Sequence, residues 1–136
     1  MFIAIENLLP HRAPMQWINA LTGCTDKTAA ATACFNENDF AVADGLVLET
    51  ALVECVAQTV AAALGHHAQT RGDFGVAGNG MLVAVSNFKI RLRPPAGKKL
   101  HIESRERKCL GTMRLVSGTI SCEGQIIASG DLMVYA

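Results

Sequence analysis

Between Thr50 and Leu64 a single side chain carries a formal charge, the carboxyl of Glu54. A carboxyl drawn into apolar surroundings without a partner is costly, or it holds its proton to higher pH, and that tuning is what acid/base chemistry near neutrality requires. Gln58 follows four residues later, one helical turn on and on the same face. There it orients Glu54, orients a substrate group, or serves as a structural helix residue. The histidines offer less. His11 stands beside Arg12 ahead of Pro14, a place suited to bonding backbone where a strand begins. His66 and His67 follow Gly65, where a helix C-terminus favours a protonated imidazole. His101 falls in a basic strand pattern. None has the carboxylate partner or ligand spacing of a metal site, so no metal is expected.

Two further groups of charges border this region. Asp39, Asp44 and Glu49 precede the Glu54 segment; Asp44 suits a helix N-cap and Glu49 the first helical turn, and either could line a pocket mouth. From Lys89 to Lys108 the chain carries Lys89, Arg91, Arg93, Lys98, Lys99, Arg105, Arg107 and Lys108 against Glu103 and Glu106. A solvated strand face accounts for most of them.

These residues need elements to hold them. Leu46 to Leu64 contains no glycine or proline and is rich in helix formers, which predicts one long helix with Asp44 as N-cap and Gly65 as C-cap. It is apolar nearly all round, so other structure must enclose it. In Asn87 to Arg93, Phe88, Ile90 and Leu92 alternate with polar residues, the period-two pattern of a half-buried strand, ended by Pro94-Pro95. Further strands are expected over Lys99 to Cys109, Thr112 to Cys122 and Gln125 to Tyr135, the last after a Glu123-Gly124 turn. Pro14 to Leu21 and Thr28 to Phe35 read as strands ahead of the helix. The prediction is an α+β domain in which an antiparallel sheet of about six strands wraps one helix.

The 136 residues show no repeat or linker, which gives one domain over 1–136. Half the residues are hydrophobic and 18% are charged, apolar enough to expect that an oligomer covers part of the surface. Twelve basic residues balance twelve acidic ones, so no global field points to nucleic acid or an anionic membrane. Val47 to Leu64 has the length of a membrane span but is Ala-rich and broken by polar residues, so it reads as a buried helix. The five cysteines stand singly with no C-x-x-C pair, as reduced core residues of a cytoplasmic protein. No basic, cleavable leader opens the chain, in keeping with a cytoplasmic location.

Three segments in order carry a resemblance. Leu8 to Met15 (LLPHRAPM), Leu52 to Gln58 (LVECVAQ) and Val85 to Gly97 (VSNFKIRLRPPAG) are similar to the strand lead-in, central-helix motif and following strand of the bacterial 3-hydroxyacyl-acyl-carrier-protein dehydratases. In that family a catalytic His lies fourteen residues before the helix acid, and here Phe40 stands at that position. The chain looks more like a divergent branch linked to aryl-polyene and polyketide-like pathways. The resemblance implies a hotdog fold with Glu54 catalytic, Gln58, His11 and Phe40 beside the substrate, and no cofactor. It also implies an acyl thioester on acyl carrier protein or CoA, helix N-terminal amides that polarise the thioester carbonyl, and sites at a dimer interface. Some of the basic residues would then receive the phosphopantetheine phosphate or the acidic carrier.

Three functions fit these residues. The first is a dehydratase of fatty-acid or aryl-polyene type, as a homodimer or as one subunit of a pair in which another hotdog protein supplies the missing His. The second is a thioesterase in which Glu54 activates water or attacks the thioester. The third is a non-catalytic subunit that binds acyl carrier protein.

Overall fold

The computed structural model describes residues 16–70 and 81–135 and the backbone of Ile3–Ala4. The elements run β1 (Ile3–Ala4), β2 (Ala20–Cys24), β3 (Thr28–Ala33), β4 (Val42–Ala43), β5 (Leu46–Val47), α1 (Glu49–Thr70), β6 (Met81–Ile90), β7 (Leu100–Leu110), β8 (Met113–Cys122) and β9 (Gln125–Tyr135). All but β4 and β5 join one sheet in the order β1-β2-β3-β7-β8-β9-β6, antiparallel throughout. Six of its strands are five residues or longer. This is the expected α+β arrangement, a hotdog fold.

Alternation decides which face of the sheet meets the helix. Leu100, Ile102 and Ser104 of β7 are buried between exposed His101, Glu103 and Arg105, and Val116, Gly118, Ile120 and Cys122 of β8 repeat the pattern. From the helix, Ala51, Leu52, Cys55, Val56 and Ala62 meet them with no exposure. Burying a side chain the size of Leu52 or Val56 contributes about 1.5–3 kcal/mol.

Two glycines let these layers approach. A Cβ on Gly118 would overlap Val56 Cγ1 and sit 3.2 Å from its Cγ2, so the β8 backbone rests directly on the helix. A Cβ on Gly130 would come 2.5 Å from Phe88 Cα. There Ser86 pairs with Asp131 and Lys89 with Ser129, so Asn87 and Phe88 together face Gly130. Asn87 takes a positive φ of 53° to make this bulge, a backbone region in which Asn is among the better-tolerated residues.

Several boundaries differ from expectation. The helix starts at Glu49, because Asp44 (φ 56°) and Gly45 (φ 76°) form a two-residue hairpin turn joining β4 to β5. Asp44 is therefore a turn residue and not an N-cap. At the other end Gly65 does not stop the helix. Gly65 is buried within it, and Ala68 one turn later is only 2% exposed, so burial offsets the helix cost of glycine. The strand expected over Asn87 to Arg93 is the last part of a longer one, and it ends at Ile90, before Leu92 and Arg93. Cys55 and Cys122 are buried as expected, whereas Cys34 and Cys109 are exposed. All five cysteines are free thiols.

Candidate active site

The first turns of α1 leave one stripe uncovered. Glu49 and Thr50 are exposed and Val53, Glu54 and Ala57 are half-buried, while Ala51, Leu52, Cys55 and Val56 between them are fully enclosed. Glu54 thus stands where the wall of the core meets open surface, a half-buried carboxyl and not a sequestered one. Its neighbour shows how apolar the wall is: burial pushes the Cys55 thiol far above its ordinary range, and the charge of Glu54 adds to the rise.

Gln58, one turn on, is 1% exposed. Its Oε1 accepts hydrogen bonds from the backbone N–H of Trp17 (2.9 Å) and Ile18 (3.3 Å), tying the chain ahead of β2 to the helix. The Trp17 ring in turn meets Phe35 edge-on at 6.2 Å and Phe40 edge-on at 5.9 Å. Phe40 remains 55% exposed. The fold therefore brings Gln58 and Phe40 together through Trp17, beside the turn that carries Glu54. His11 and the rest of the Leu8 to Met15 motif lie outside the described residues.

The segment between Phe40 and the helix is held at both ends. Asp39 accepts from the Asn36 N–H through Oδ2 (2.9 Å), and its own N–H returns a bond to the Asn36 carbonyl (3.0 Å), so this carboxylate organises a turn. Leu48 N–H donates to the Ala41 carbonyl at 2.7 Å and sets the start of α1. Arg93 reaches across from beyond β6. Its Nε donates to the Val47 carbonyl (2.9 Å), and its Nη2 donates to Ala43 (3.1 Å) and Leu46 (3.0 Å). The sequence reading placed Arg93 on a solvated strand face. The signal that could have found it is the two-proline break directly after it, which takes the chain out of the sheet and toward a turn whose carbonyls need donors.

The other expected residues lie elsewhere. His67 does not cap the helix; its Nε2 lies 2.9 Å from the Thr25 carbonyl and 3.2 Å from Cys24 Sγ, a bridge to the end of β2. At 1.5 Å per residue, His66 and His67 stand roughly 18–20 Å along the helix from Glu54. His101 is exposed on β7. Of the basic run, Lys98 pairs with Glu123 at 2.9 Å. Arg107 donates to Ser117 Oγ at 2.9 Å, and that hydroxyl donates to Asp131. Among the described residues no group of three or more metal-ligating side chains converges. The arrangement offers a carboxyl at the edge of an apolar wall, a helix start where Ala51 and Leu52 N–H share the Leu48 carbonyl (3.1 and 3.3 Å) and Glu49 and Thr50 N–H precede any intrahelical acceptor, and an aromatic border. A carboxyl and amide donors beside an apolar wall are what proton transfer next to a carbonyl requires.

A family model described as ApeP dehydratase matches residues 3–136. No curated protein matches the sequence. Among solved structures, the chain is similar to one in the dehydratase heterocomplex ApeI:P from Xenorhabdus doucetiae, with TM-score 0.87 and 21% identity over 99% of this chain and 91% of that one. It is also similar to the uncharacterised protein PH1136 from Pyrococcus horikoshii, with TM-score 0.72 and 13% identity over 98% and 93%. Zebrafish thioesterase superfamily member 2 follows with TM-score 0.68 and 11% identity over 93% and 86%. At these identities the structures speak for the fold, and the family match covers nearly the whole chain. Because that family model spans residues 3–136, the chain belongs to the ApeP dehydratase family.

Proposed function

We propose that the chain is one subunit of a dehydratase that removes water from a 3-hydroxyacyl thioester carried on an acyl carrier protein, in biosynthesis of fatty-acid or aryl-polyene type. The observation that carries this reading is Glu54, a half-buried carboxyl on the stripe that the first turns of the helix leave open. Dehydration moves the C2 proton to a base while the C3 hydroxyl leaves with a proton as water, and donors hold the enolate oxygen between. Glu54 takes one of the two proton-transfer roles. The Glu49 and Thr50 amides at the start of α1 supply the donors. Phe40 cannot exchange a proton, so an imidazole from a second hotdog protein takes the other role.

The sheet edge supports such a partner. β6 is a terminal strand of the sheet, and along it Val83 is 52% and Val85 43% exposed, with Ala84 exposed between them and Ser86 after them. An edge strand of ten residues with an exposed apolar run at Val83–Val85 invites strand addition from another chain. That the Xenorhabdus doucetiae match is a heterocomplex supports a hetero-pair over a homodimer. The same reading puts the chain in the cytoplasm, and no helix among the described residues is long and apolar enough to cross a membrane.

The test is mass spectrometry of a 3-hydroxyacyl-acyl-carrier-protein incubated with this chain, alone and with neighbouring hotdog proteins. Loss of water only with both chains present, abolished by Glu54→Gln, is the expected result. Release of the free acid by this chain alone would establish a thioesterase instead, and saturable carrier binding with no chemistry in any pairing would establish a binding subunit.

A further inference from the structure

We infer that Arg93 is a positioning residue of the active site, holding the helix entrance in place and adding its charge to the potential there. This rests on the dehydratase reading above. The β4–β5 hairpin has two paired residues on each side of its turn, too few to hold a shape by itself. It leads directly into Glu49 and the first amides of α1.

What fixes the hairpin comes from the chain that follows β6. Val47 N–H donates to the Pro94 carbonyl at 2.9 Å, Ala96 N–H donates to the Gly45 carbonyl at 2.9 Å, and Leu46 bridges to Pro95. Arg93 binds the carbonyls of Ala43, Leu46 and Val47 at once, clasping the turn from both strands. The planar guanidinium presents several donors in one fork, and an ammonium on a flexible stem would not reproduce that grip.

The charge is the second part. Among the described residues the ion pairs are Lys98–Glu123 and Arg114–Glu106, so Arg93 has no carboxylate of its own. A cation held at the carbonyl of Val47, two residues ahead of the helix N-terminus, opposes the helix dipole. Three carbonyl oxygens offset that cost. An enolate oxygen held by the first-turn amides would feel both the dipole and the guanidinium. Arg93 touches no reacting atom and acts through the hairpin and the helix start.

The test compares wild type, Arg93→Lys, Arg93→Met and Arg93→Ala as full chains with the hotdog partner that reconstitutes dehydration. Arg93→Met is expected to lower kcat about 10- to 100-fold, the size of effect seen when a distant change misplaces a site by about 1 Å, while KM changes little. Arg93→Lys should fall between, and added ethylguanidinium should restore Arg93→Ala in part, which a merely loosened fold would not show. Unchanged kcat in Arg93→Met, or no rescue, overturns the inference. Hydrogen exchange reads the same residue without turnover. Amides of 42–50 should exchange faster in Arg93→Met while those of β7 and β8 keep their protection, and unchanged exchange across 42–50 overturns the positioning role. A wild-type pair that dehydrates nothing sinks the proposed function itself and leaves the exchange comparison to decide the positioning role.

Discussion

Adding one methyl at Gly118 tests the helix–sheet contact on which the site depends. The new Cβ would overlap Val56 Cγ1 and lie 3.2 Å from Cγ2. Carbon atoms in good contact sit about 3.5–4.0 Å apart, so helix and strand must separate by roughly 1 Å. Val56 cannot step aside, because a β-branched side chain in a helix has one strongly preferred rotamer and this one is fully enclosed. Overpacking of this kind costs about 1–3 kcal/mol, against a few tenths to about 1 kcal/mol that alanine returns over glycine in a strand. At 136 residues the unfolding entropy is about 0.29 kcal/mol/K, so a net loss of 2 kcal/mol lowers Tm by about 7 °C. The decisive measurement is a double-mutant cycle by urea denaturation. Val56→Ala alone costs about 1–3 kcal/mol, but in that background Gly118→Ala fills part of the space and becomes neutral or stabilising, a coupling of at least about 1 kcal/mol. Equal effects of Gly118→Ala in both backgrounds would refute the claim that direct contact at Val56 sets the layer spacing. Glu54 lies two residues before Val56, so the same displacement should lower kcat in the reconstituted dehydratase.

Gln58→Leu should cost about 1–3 kcal/mol in chemical denaturation, because it removes the acceptor shared by the half-buried Trp17 and buried Ile18 N–H groups. Its effect on kcat tells structural from catalytic use of that amide. Val83→Arg should abolish co-elution with the hotdog partner in size-exclusion chromatography and leave Tm within a few degrees, since that side chain is 52% exposed. Burial raises the thiols of Cys55, Cys24 and Cys122 in the folded state, above the usual value of 9.0. The unfolded chain loses those protons first as pH rises, so their stabilisation is complete below about pH 9 and is lost above it. Cys55 contributes a slope of up to about 1.4 kcal/mol per pH unit. Cys55→Ala should flatten that decline above pH 9 in denaturation midpoints, and an unchanged slope contradicts it. A maleimide should label Cys34 and Cys109 quickly and Cys55 only on unfolding.

The strands were legible wherever a turn and an alternation agreed. Gln125–Tyr135 has the bounds expected for it, because Glu123 and Gly124 both take the positive φ of a two-residue turn and buried Ala128, Leu132 and Val134 share one face, with Ile127 added at an irregularity in the pairing. The central helix and the isolation of Glu54 were also legible, since helix formers, apolar content and charge are properties of the local sequence. The misreadings share one cause. Asp44-Gly45 is a turn signal and a capping signal at once, and Gly65 is a stop signal that burial overrides, so packing partners distant in sequence decided both. Gln58 meets the Trp17 N–H across 41 residues, and Arg93 meets the Val47 carbonyl across 46. Nothing local announces either bond. By itself the sequence determined that a lone carboxyl rides on an enclosed helix under an antiparallel sheet. Only the tertiary structure decided that this carboxyl lies on the open stripe of the helix's first turns, that Gln58 is bonded to the chain ahead of β2, and that an arginine past the edge strand clasps the turn before the helix. Propensity and periodicity act over a few residues, whereas hydrogen bonds between distant segments exist only once the chain has closed around its core.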